Sequence, residues 1–313
     1  MSSAATPRTF RTPQPGEDVR SVLHDVAGHL RAAGVPSPQV DAELLVCHAY
    51  GVTRAELLQA SILRRPLGAL GDDAGLASLV TRRAAREPLQ HLTGRAPFRT
   101  VELAVGPGVF VPRPETEQVA QVAIDEVLAR VRAAGTARVV DLCTGSGAIA
   151  LAVATEVPGA EVWAVELDGA AHAWAERNLD GTGVHLVRGD ARTALSELDG
   201  TCDVVVSNPP YVPPGAVPRE PEVADHDPAV ALYGLGADGL EVPRGISDAA
   251  ARLLRPGGLL VLEHAEVQSA AARAMVLDTG VLVGPRTLPD LAGRDRMVVA
   301  RRDAPVDVAD SPS

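Results

Sequence analysis

The sequence contains no lysine, since all 29 of its basic residues are arginine. This absence excludes every mechanism that depends on a lysine, including Schiff-base catalysis, the phosphate-binding loop of P-loop nucleotidases and the Tyr/Lys pair of dehydrogenases. Aromatic residues are also scarce, at 3%. Acidic residues number 40 in a chain of 313 residues, so the formal net charge is −11. Any catalytic or ligand-binding role must therefore be carried by residues other than lysine, in a protein that is acidic overall.

Cysteine is rare, and the three cysteines lie far apart, at Cys47, Cys143 and Cys202. Without a C-x-x-C spacing they indicate neither a zinc site nor a disulfide framework, and the eight histidines show no metal-ligand spacing. We therefore expect no metal. The start of the chain has no apolar segment typical of a signal peptide, and no apolar run reaches the roughly 18 residues of a membrane span. These features predict a cytoplasmic protein with no membrane partner.

The charge is unevenly distributed along the chain. Residues 1–100 hold 12 arginines against 9 acidic residues, a balance of +3, whereas residues 101–313 hold 17 against 31, a balance of −14. Because phosphate contacts supply most of the affinity of non-specific nucleic-acid binding, the acidic body argues against a stable nucleic-acid partner. The mildly basic residues 1–100 are the better candidate for binding a partner. The alternative is that their charges lie on a solvated helix surface with no partner.

Hydrophobic periodicity predicts a small all-helical domain over residues 16–90, where apolar residues recur at helical spacing. Alternating residues around 99–103 predict a β-hairpin within a linker at 91–112. The two ends, residues 1–15 and 303–313, have the composition of flexible tails.

Residues 113–302 form the second predicted domain, in which strands alternate with helices. This alternation is typical of an α/β fold with a parallel, doubly wound sheet. The expected strands are 138–142, 161–166, 184–188, 203–207, 259–263, 281–286 and 296–301. The expected helices are 115–133, 148–156, 169–179, 191–198, 238–254 and 266–278.

A glycine-rich turn, Asp141-Leu-Cys-Thr-Gly-Ser-Gly147, follows the first of these strands. Its glycines allow a ligand to approach the backbone, and the next helix presents free N–H donors. Glu166 lies 19 residues after Gly147, where a carboxylate that binds a ribose diol is expected. Asp190 ends the third strand and is suited either to an adenine amino group or to a surface cap. The turn alone does not separate NAD from S-adenosylmethionine or from a structural turn.

The most informative segment is Asn208-Pro-Pro-Tyr211, which follows strand 203–207 at the carboxyl edge of the predicted sheet. A planar NH2 group is a weak nucleophile that two acceptors can hold, here the side-chain oxygen of Asn208 and the carbonyl of Pro209. The two prolines stiffen the turn, and Tyr211 is suited to pack on the flat group. With a sulfonium methyl donor, proximity and polarisation would favour in-line attack by the nitrogen. We therefore predict Asn208, Pro209 and Tyr211 as catalytic; the structural alternative is a proline-rich turn.

These motifs, the glycine-rich turn, Glu166, Asp190 and the Asn-Pro-Pro-Tyr segment, resemble those of amino-methylating Rossmann-like methyltransferases. A narrower resemblance, to HemK-type peptide chain release factor glutamine methyltransferases, is carried by four segments and extends over residues 17–302. The segments are Pro88-Leu-Gln-His-Leu-Thr-Gly94, Phe110-Val-Pro-Arg-Pro-Glu-Thr-Glu117, Leu259-Leu-Val-Leu-Glu-His264 and Asp290-Leu-Ala-Gly-Arg-Asp-Arg296.

The resemblance implies a seven-stranded, mostly parallel Rossmann-like sheet preceded by a helical domain that docks a protein substrate. It also implies methyl transfer from S-adenosylmethionine to the side-chain amide N5 of the glutamine in the Gly-Gly-Gln motif of release factors. The implied cofactor-binding residues are Asp141, Cys143, Thr144, Gly145, Ser146, Gly147, Glu166, Asp190, Ala191 and Asn208. The implied substrate-binding residues are Asn208, Pro209, Pro210 and Tyr211.

Two residues depart from the family pattern: Cys143 stands where relatives often have glycine, and Ala191 stands where a relative has an aromatic residue. The role of Arg113 and Glu115 is open between bracing the cofactor pocket and forming an interdomain salt-bridge loop. Alternative functions are a ribosomal-protein glutamine methyltransferase, an adenine-N6 nucleic-acid methyltransferase, an NAD-dependent oxidoreductase and a non-catalytic cofactor-binding protein. The acidic balance of residues 101–313 argues against a nucleic-acid methyltransferase, which needs a basic groove. The absence of lysine argues against the oxidoreductase, because no lysine is present to serve as its acid.

Overall fold

A computed structural model describes residues 9–304, which form two compact units. The first unit contains the residues up to Arg95 together with Pro218–His226, and the second contains Ala96–Val217 and the residues from Asp227 onward. In chain order the helices are α1 (Val19–Ala32), α2 (Pro38–Tyr50), α3 (Arg54–Ile62), α4 (Leu76–Ala84), α5 (Leu89–Thr93), α6 (Thr116–Ala134), α7 (Ala148–Glu156), α8 (Gly169–Leu179), α9 (Pro221–His226), α10 (Ala229–Leu232), α11 (Glu241–Leu253) and α12 (Ser269–Asp278). The strands are β1 (Arg95–Phe98), β2 (Val101–Ala104), β3 (Ala137–Leu142), β4 (Ala160–Glu166), β5 (His185–Arg188), β6 (Cys202–Ser207), β7 (Leu254–Glu263), β8 (Leu282–Pro289) and β9 (Asp295–Arg302).

The first unit is helical, as predicted, and its helices start where capping side chains allow. Asp18 accepts a hydrogen bond from the N–H of Arg20 at the start of α1. Thr53 and Glu56 form a reciprocal capping box at α3. The apolar faces of these helices pack into one core that includes Val26, Leu45 and Leu57. The predicted amphipathic pattern therefore describes this unit correctly.

The segment around α9 belongs to the helical unit rather than to the predicted second domain over 113–302. Glu222 on α9 accepts hydrogen bonds from Arg83 (2.9 Å) and Arg86 (2.7 and 2.6 Å) of the same unit. Arg83 also contacts Asp41 at 2.7 Å, so a half-buried carboxylate network holds the segment. No local sequence pattern predicts that Arg83 and Arg86 are partners of Glu222, because they lie more than a hundred residues away along the chain.

The flexible tail predicted over residues 1–15 is wrong for residues 9–15. Phe10 is buried against His29, with ring centroids 5.2 Å apart, and its N–H donates to Thr81. Residues 1–8 lie outside the described residues. At the other end, the N–H of Asp303 bonds to Val281, and residues 305–313 lie outside the described residues.

The predicted hairpin exists, and β1 and β2 meet at a turn over Arg99 and Thr100. It is not a separate linker over 91–112, however. Phe98 and Leu103 are buried in the core of the second unit, so packing assigns the hairpin to that unit.

The second unit contains a seven-stranded sheet in the order β5-β4-β3-β6-β7-β9-β8. Strand β9 runs antiparallel to its two neighbours, β7 and β8, and the other neighbouring strands are parallel. Successive strand residues face opposite cores: Val139 belongs to one cluster and Val140 to the other. The strand order reverses between β3 and β6, and this switch point opens a crevice at the carboxyl ends of the strands. The α/β fold class and the doubly wound sheet are confirmed.

Three predicted elements differ from the structure. Residues 191–198 are turns that end in a short 3-10 helix at Ser196–Leu198, because Asp190 caps Arg192 and redirects the chain. Helix α11 begins at Glu241 instead of 238, and β7 begins at Leu254 instead of 259. Within residues 9–304, no helix combines the length and apolar character needed to cross a membrane.

Candidate active site

A cavity of about 500 Å³ lies at the carboxyl edge of the sheet, within the second unit. Its lining is mostly apolar and includes residues at or just beyond the carboxyl ends of β3, β4, β5 and β6. Every predicted site residue except Gly147 contributes to this lining. Folding thus brings together motifs that are spread over 70 residues of sequence.

The glycine-rich turn has left-handed backbone at Cys143 (φ 61°), Gly145 (φ 59°) and Gly147 (φ 86°). Glycine adopts this conformation freely, whereas Cys143 does so at a steric cost. A Cβ on Gly147 would lie 3.1 Å from Leu179 of α8. Gly147 therefore serves close helix packing, and it is not part of the cavity surface.

Asp141, at the end of β3, is buried, and its Oδ2 accepts hydrogen bonds from the Thr144 hydroxyl (2.6 Å) and the Ala150 N–H (3.2 Å). Its Oδ1 is buried without a hydrogen-bond partner among the described residues. Burial raises the pKa of this carboxyl to about 7. An unpaired carboxylate oxygen on a cavity wall is suited to a cationic group of a ligand.

Glu166 ends β4, and each of its carboxylate oxygens accepts one main-chain hydrogen bond. Oε2 takes the N–H of Gly145 and Oε1 the N–H of Asp168, both at 2.8 Å. The N–H of Leu167 is a further main-chain partner of this carboxylate. A carboxylate has about four lone-pair sites, so acceptor capacity remains for a ligand. This is the arrangement that a vicinal diol requires. Burial raises the pKa of Glu166 despite these bonds.

Asp190 is held by Arg192, whose Nε and Nη2 contact its two oxygens at 2.9 and 2.6 Å. Ala191 is buried, and Arg192 also lines the cavity. The side chain of Arg192 packs against Gly245: a Cβ on Gly245 would lie 2.6 Å from Cδ of Arg192. The sequence interpretation missed Arg192, although its place directly after Asp190-Ala191 marks it as a neighbour of the site.

Asn208 lies just beyond β6, and its Nδ2 donates to the hydroxyl of Thr116 at 3.1 Å. Its side-chain oxygen therefore remains available to the cavity. The carbonyl of Tyr211 accepts from Nε2 of Gln268 at 2.9 Å. A Cβ on Gly234 would lie 2.6 Å from the carbonyl oxygen of Pro210, so the Asn-Pro-Pro-Tyr backbone is closely packed from outside.

Thr116 and Glu263 were not predicted as site residues; Thr116 lines the cavity, whereas Glu263 does not. The Thr116 hydroxyl donates to Glu263 Oε2 at 2.8 Å, and the Tyr211 hydroxyl donates to Glu263 Oε1 at 3.1 Å. Burial raises the pKa of Glu263 to about 7 and that of Tyr211 above its ordinary value. Both missed residues fall inside segments that carry the family resemblance, and that was the available signal.

Arg113 forms an ion pair within the second unit and contacts a residue that lines the cavity. Its Nη2 lies 2.6 Å from Oδ2 of Asp227, and its guanidinium carbon lies 4.8 Å from the ring centroid of Phe110, which lines the cavity. Arg113 and Asp227 both belong to the second unit. Glu115 is 3.7 Å from Arg294 and is not among the lining residues.

The charges around the cavity favour a cationic ligand. Four carboxylates line it, with Arg192 as the balancing guanidinium; they belong to Asp141, Glu166, Asp168 and Asp190. A pyrophosphate would face repulsion from these groups, whereas a sulfonium and an ammonium would be attracted. Among residues 9–304, no cluster of three or more His, Cys, Asp or Glu side chains is arranged to hold a metal.

Two family models match the chain. Residues 21–94 match the PrmC N-terminal domain, and residues 102–220 match the methyltransferase small domain. The first match lies in the helical unit, and the second includes the glycine-rich turn and the Asn-Pro-Pro-Tyr segment.

Curated relatives are similar over most of their length. The chain is 49% identical to the release factor glutamine methyltransferase of Streptomyces coelicolor, over 88% of this chain and 95% of that protein. It is 44% identical to the protein of that name from Bifidobacterium longum, over 90% of this chain and 99% of the other. It is also 42% identical to a 4-amino-L-phenylalanine/4-methylamino-L-phenylalanine methyltransferase of Streptomyces pristinaespiralis, over 82% of this chain and 87% of that protein.

Proposed function

The chain belongs to the release factor glutamine methyltransferase family, and on this premise we propose that it methylates the amide N5 of the glutamine in the Gly-Gly-Gln motif of release factors. S-adenosylmethionine, when bound, supplies an electrophilic sulfonium methyl group. The release factor works in translation, so the proposed site of action is the cytoplasm. The observation that carries the proposal is that Asn208 and Pro209–Tyr211 line the same cavity as Asp141 and Glu166.

Residues of this chain fit the cofactor by their unused hydrogen-bonding capacity. The partnerless Oδ1 of Asp141 is suited to the ammonium group, and the free acceptor sites of Glu166 are suited to the ribose hydroxyls. Asp190 and Ala191 would flank the adenine, beside Arg192. A planar guanidinium stacks on flat rings, which offers a surface for the base where the chain lacks an aromatic residue.

The glutamine amide would be held by acceptors that this chain orients in advance. Asn208 keeps its oxygen free because its NH2 group is bound to Thr116. The Pro209 carbonyl is the second proposed acceptor, and two N–H bonds would hold the amide nitrogen toward the methyl group. The nitrogen gains the methyl carbon as the sulfur–carbon bond breaks, and it then loses a proton. No strong base is required, because methylation makes that proton acidic.

A protein substrate fits the rim of the cavity. Leu167, Val230 and Leu235 line it and are 53%, 45% and 48% exposed. Exposed apolar side chains at a cavity mouth are typical of a surface that another protein covers. The helical unit is proposed to assist docking, since residues 1–100 carry a balance of +3. The acidic remainder disfavours nucleic acid as substrate.

The proposal is tested by incubating release factor with enzyme and S-adenosylmethionine and mapping methyl groups by mass spectrometry. We expect one added methyl on the Gly-Gly-Gln glutamine. Asn208→Ala should retain cofactor affinity in calorimetry and lose most methyl transfer. Free 4-amino-L-phenylalanine, the compound named for one relative, is the comparison substrate. Methylation of that amine with an unmodified release factor would refute the proposed substrate.

A further inference from the structure

Glu263 is a buried carboxylate that the proposed transfer does not use directly. It ends β7 behind the Asn-Pro-Pro-Tyr segment, is 3% exposed and does not line the cavity. Its two oxygens accept from two different hydroxyls, those of Thr116 and Tyr211. Burying a carboxylate is costly unless it is well satisfied, and a buried ionic group is weak evidence for stability alone. A role in arranging its neighbours therefore merits a test.

We propose that Glu263 is a positioning residue for the methyl transfer. Acting through Thr116, it selects the orientation of the Asn208 amide in which the oxygen faces the substrate. The inference rests on the proposed function, since it concerns how that site holds its substrate amide.

Donor and acceptor identities determine the direction of each hydrogen bond between Glu263, Thr116 and Asn208. An ionised carboxylate only accepts hydrogen bonds, so the Thr116 hydroxyl must donate its single proton to Glu263. The Thr116 oxygen is then left with lone pairs, and its remaining partner has to be a donor. Asn208 meets this requirement with Nδ2, at 3.1 Å. A flipped amide would place its oxygen against the threonine lone pairs, which is unfavourable.

The same carboxylate also holds Tyr211. Its hydroxyl donates to Glu263 Oε1 at 3.1 Å, so the position of the ring on the cavity wall depends on that bond. Glu263 thus connects both ends of the tetrapeptide through acceptor oxygens. Replacing one oxygen with an NH2 group would turn an acceptor into a donor and break this pattern on one side.

Charged groups around Glu263 determine how it responds to pH. Arg296 of β9 favours its ionised form, while Glu115, which precedes α6, opposes it; Tyr211 and Thr116 are the neutral hydrogen-bonding groups. Arg296 is itself paired with Asp290 at 3.2 Å. Protonation of Glu263 would add a donor where Thr116 and Tyr211 both donate. Turnover at saturating cofactor should therefore fall as pH decreases through about 7.

The test compares Glu263→Gln, Thr116→Val and Thr116→Ser with the wild-type protein in turnover, cofactor affinity and thermal unfolding. Glu263→Gln and Thr116→Val should lower kcat by about 10- to 100-fold, the usual effect of removing a group that orients a ligand-binding residue. Cofactor affinity should stay unchanged. Thr116→Ser keeps the hydroxyl and should retain turnover. The acidic decline of kcat should disappear in Glu263→Gln.

A double-mutant comparison separates positioning from general damage. In an Asn208→Ala background, Thr116→Val should cause little further loss, because both changes remove the same oriented oxygen. A full multiplicative loss there, or wild-type kcat and pH profile in Glu263→Gln, would overturn the proposal. If Glu263→Gln does not fold, the Thr116 pair decides the question. Wild-type protein that leaves the release factor unmodified would instead contradict the proposed function.

Discussion

Glu166 accepts a hydrogen bond from the main-chain N–H of Gly145, with 2.8 Å between nitrogen and oxygen. This bond joins the end of β4 to the glycine-rich turn after β3. The carboxylate is therefore held in place before any ligand arrives, and the cost of ordering it is already met by the fold.

Glu166→Ala should weaken binding of S-adenosylmethionine by about 1–3 kcal/mol, the usual cost of losing a charged hydrogen bond. Glu161→Ala is the matched control, because Glu161 lies on the same strand and its side chain is 47% exposed beside Arg138. Isothermal titration calorimetry measures both. Equal affinities of the two variants would place the ribose contact elsewhere.

Cofactor affinity should increase with pH between about 5.5 and 7, below the range in which an α-amino group titrates. Burial raises the pKa of Asp141 to about 7, so much of this carboxyl is protonated in the free protein over that range. A bound cation favours the carboxylate, and binding therefore releases a proton.

Asp141→Asn should reduce this pH dependence as well as the affinity itself. Titrations in buffers of different ionisation enthalpy report the released proton directly. A pH-independent affinity of the wild-type protein would show that binding is not coupled to protonation of Asp141. An unchanged affinity in Asp141→Asn would remove this residue as the ammonium partner.

Cys143→Gly should be more stable than Cys143→Ala by about 1 kcal/mol. Both variants remove the thiol, and they differ only in the Cβ at a residue with φ of 61°. Urea unfolding of the two proteins provides the comparison. An alanine variant as stable as the glycine variant would mean that the turn relaxes away from the left-handed region.

Gly234→Ala should disrupt the Asn-Pro-Pro-Tyr segment and abolish most methyl transfer. The new Cβ would clash with the carbonyl oxygen of Gly239 and lie 2.6 Å from that of Pro210, which forces the backbone to move. Gly28→Ala is the contrasting variant: it lies within α1 with open space around its Cβ, so it should stabilise the protein by about 0.5–1 kcal/mol. Full turnover in Gly234→Ala would contradict the packing argument.

Much of the fold could be predicted because its signals are local. Alternation of strands and helices indicated the doubly wound sheet, and caps such as Thr53 with Glu56 marked helix starts. The predicted helix over 191–198 failed because Asp190 captures Arg192 and redirects the chain, which outweighs the helical composition of that segment. Residues 218–226 were misassigned because their partners lie far away in sequence.

The residues of the candidate site could be predicted where a short segment of sequence contains both the functional side chain and the strand that positions it. Asp141, Glu166 and Asn208 each lie at or next to the end of a strand, and parallel strands bring their carboxyl ends to one edge. Thr116 and Glu263 are 147 residues apart and form a hydrogen-bonded chain with Asn208 only after folding. A single sequence contains no pairing signal for such contacts, so the supporting hydrogen bonds required the structure.

The most direct measurement of the central claim is mass spectrometry of a release factor after incubation with the wild-type protein and with Asn208→Ala. Calorimetry first establishes that both bind S-adenosylmethionine. The account predicts one added methyl on the Gly-Gly-Gln glutamine with the wild-type protein and little or none with the variant. An unmodified glutamine with the cofactor-bound wild-type protein, or equal methylation by the variant, would contradict it.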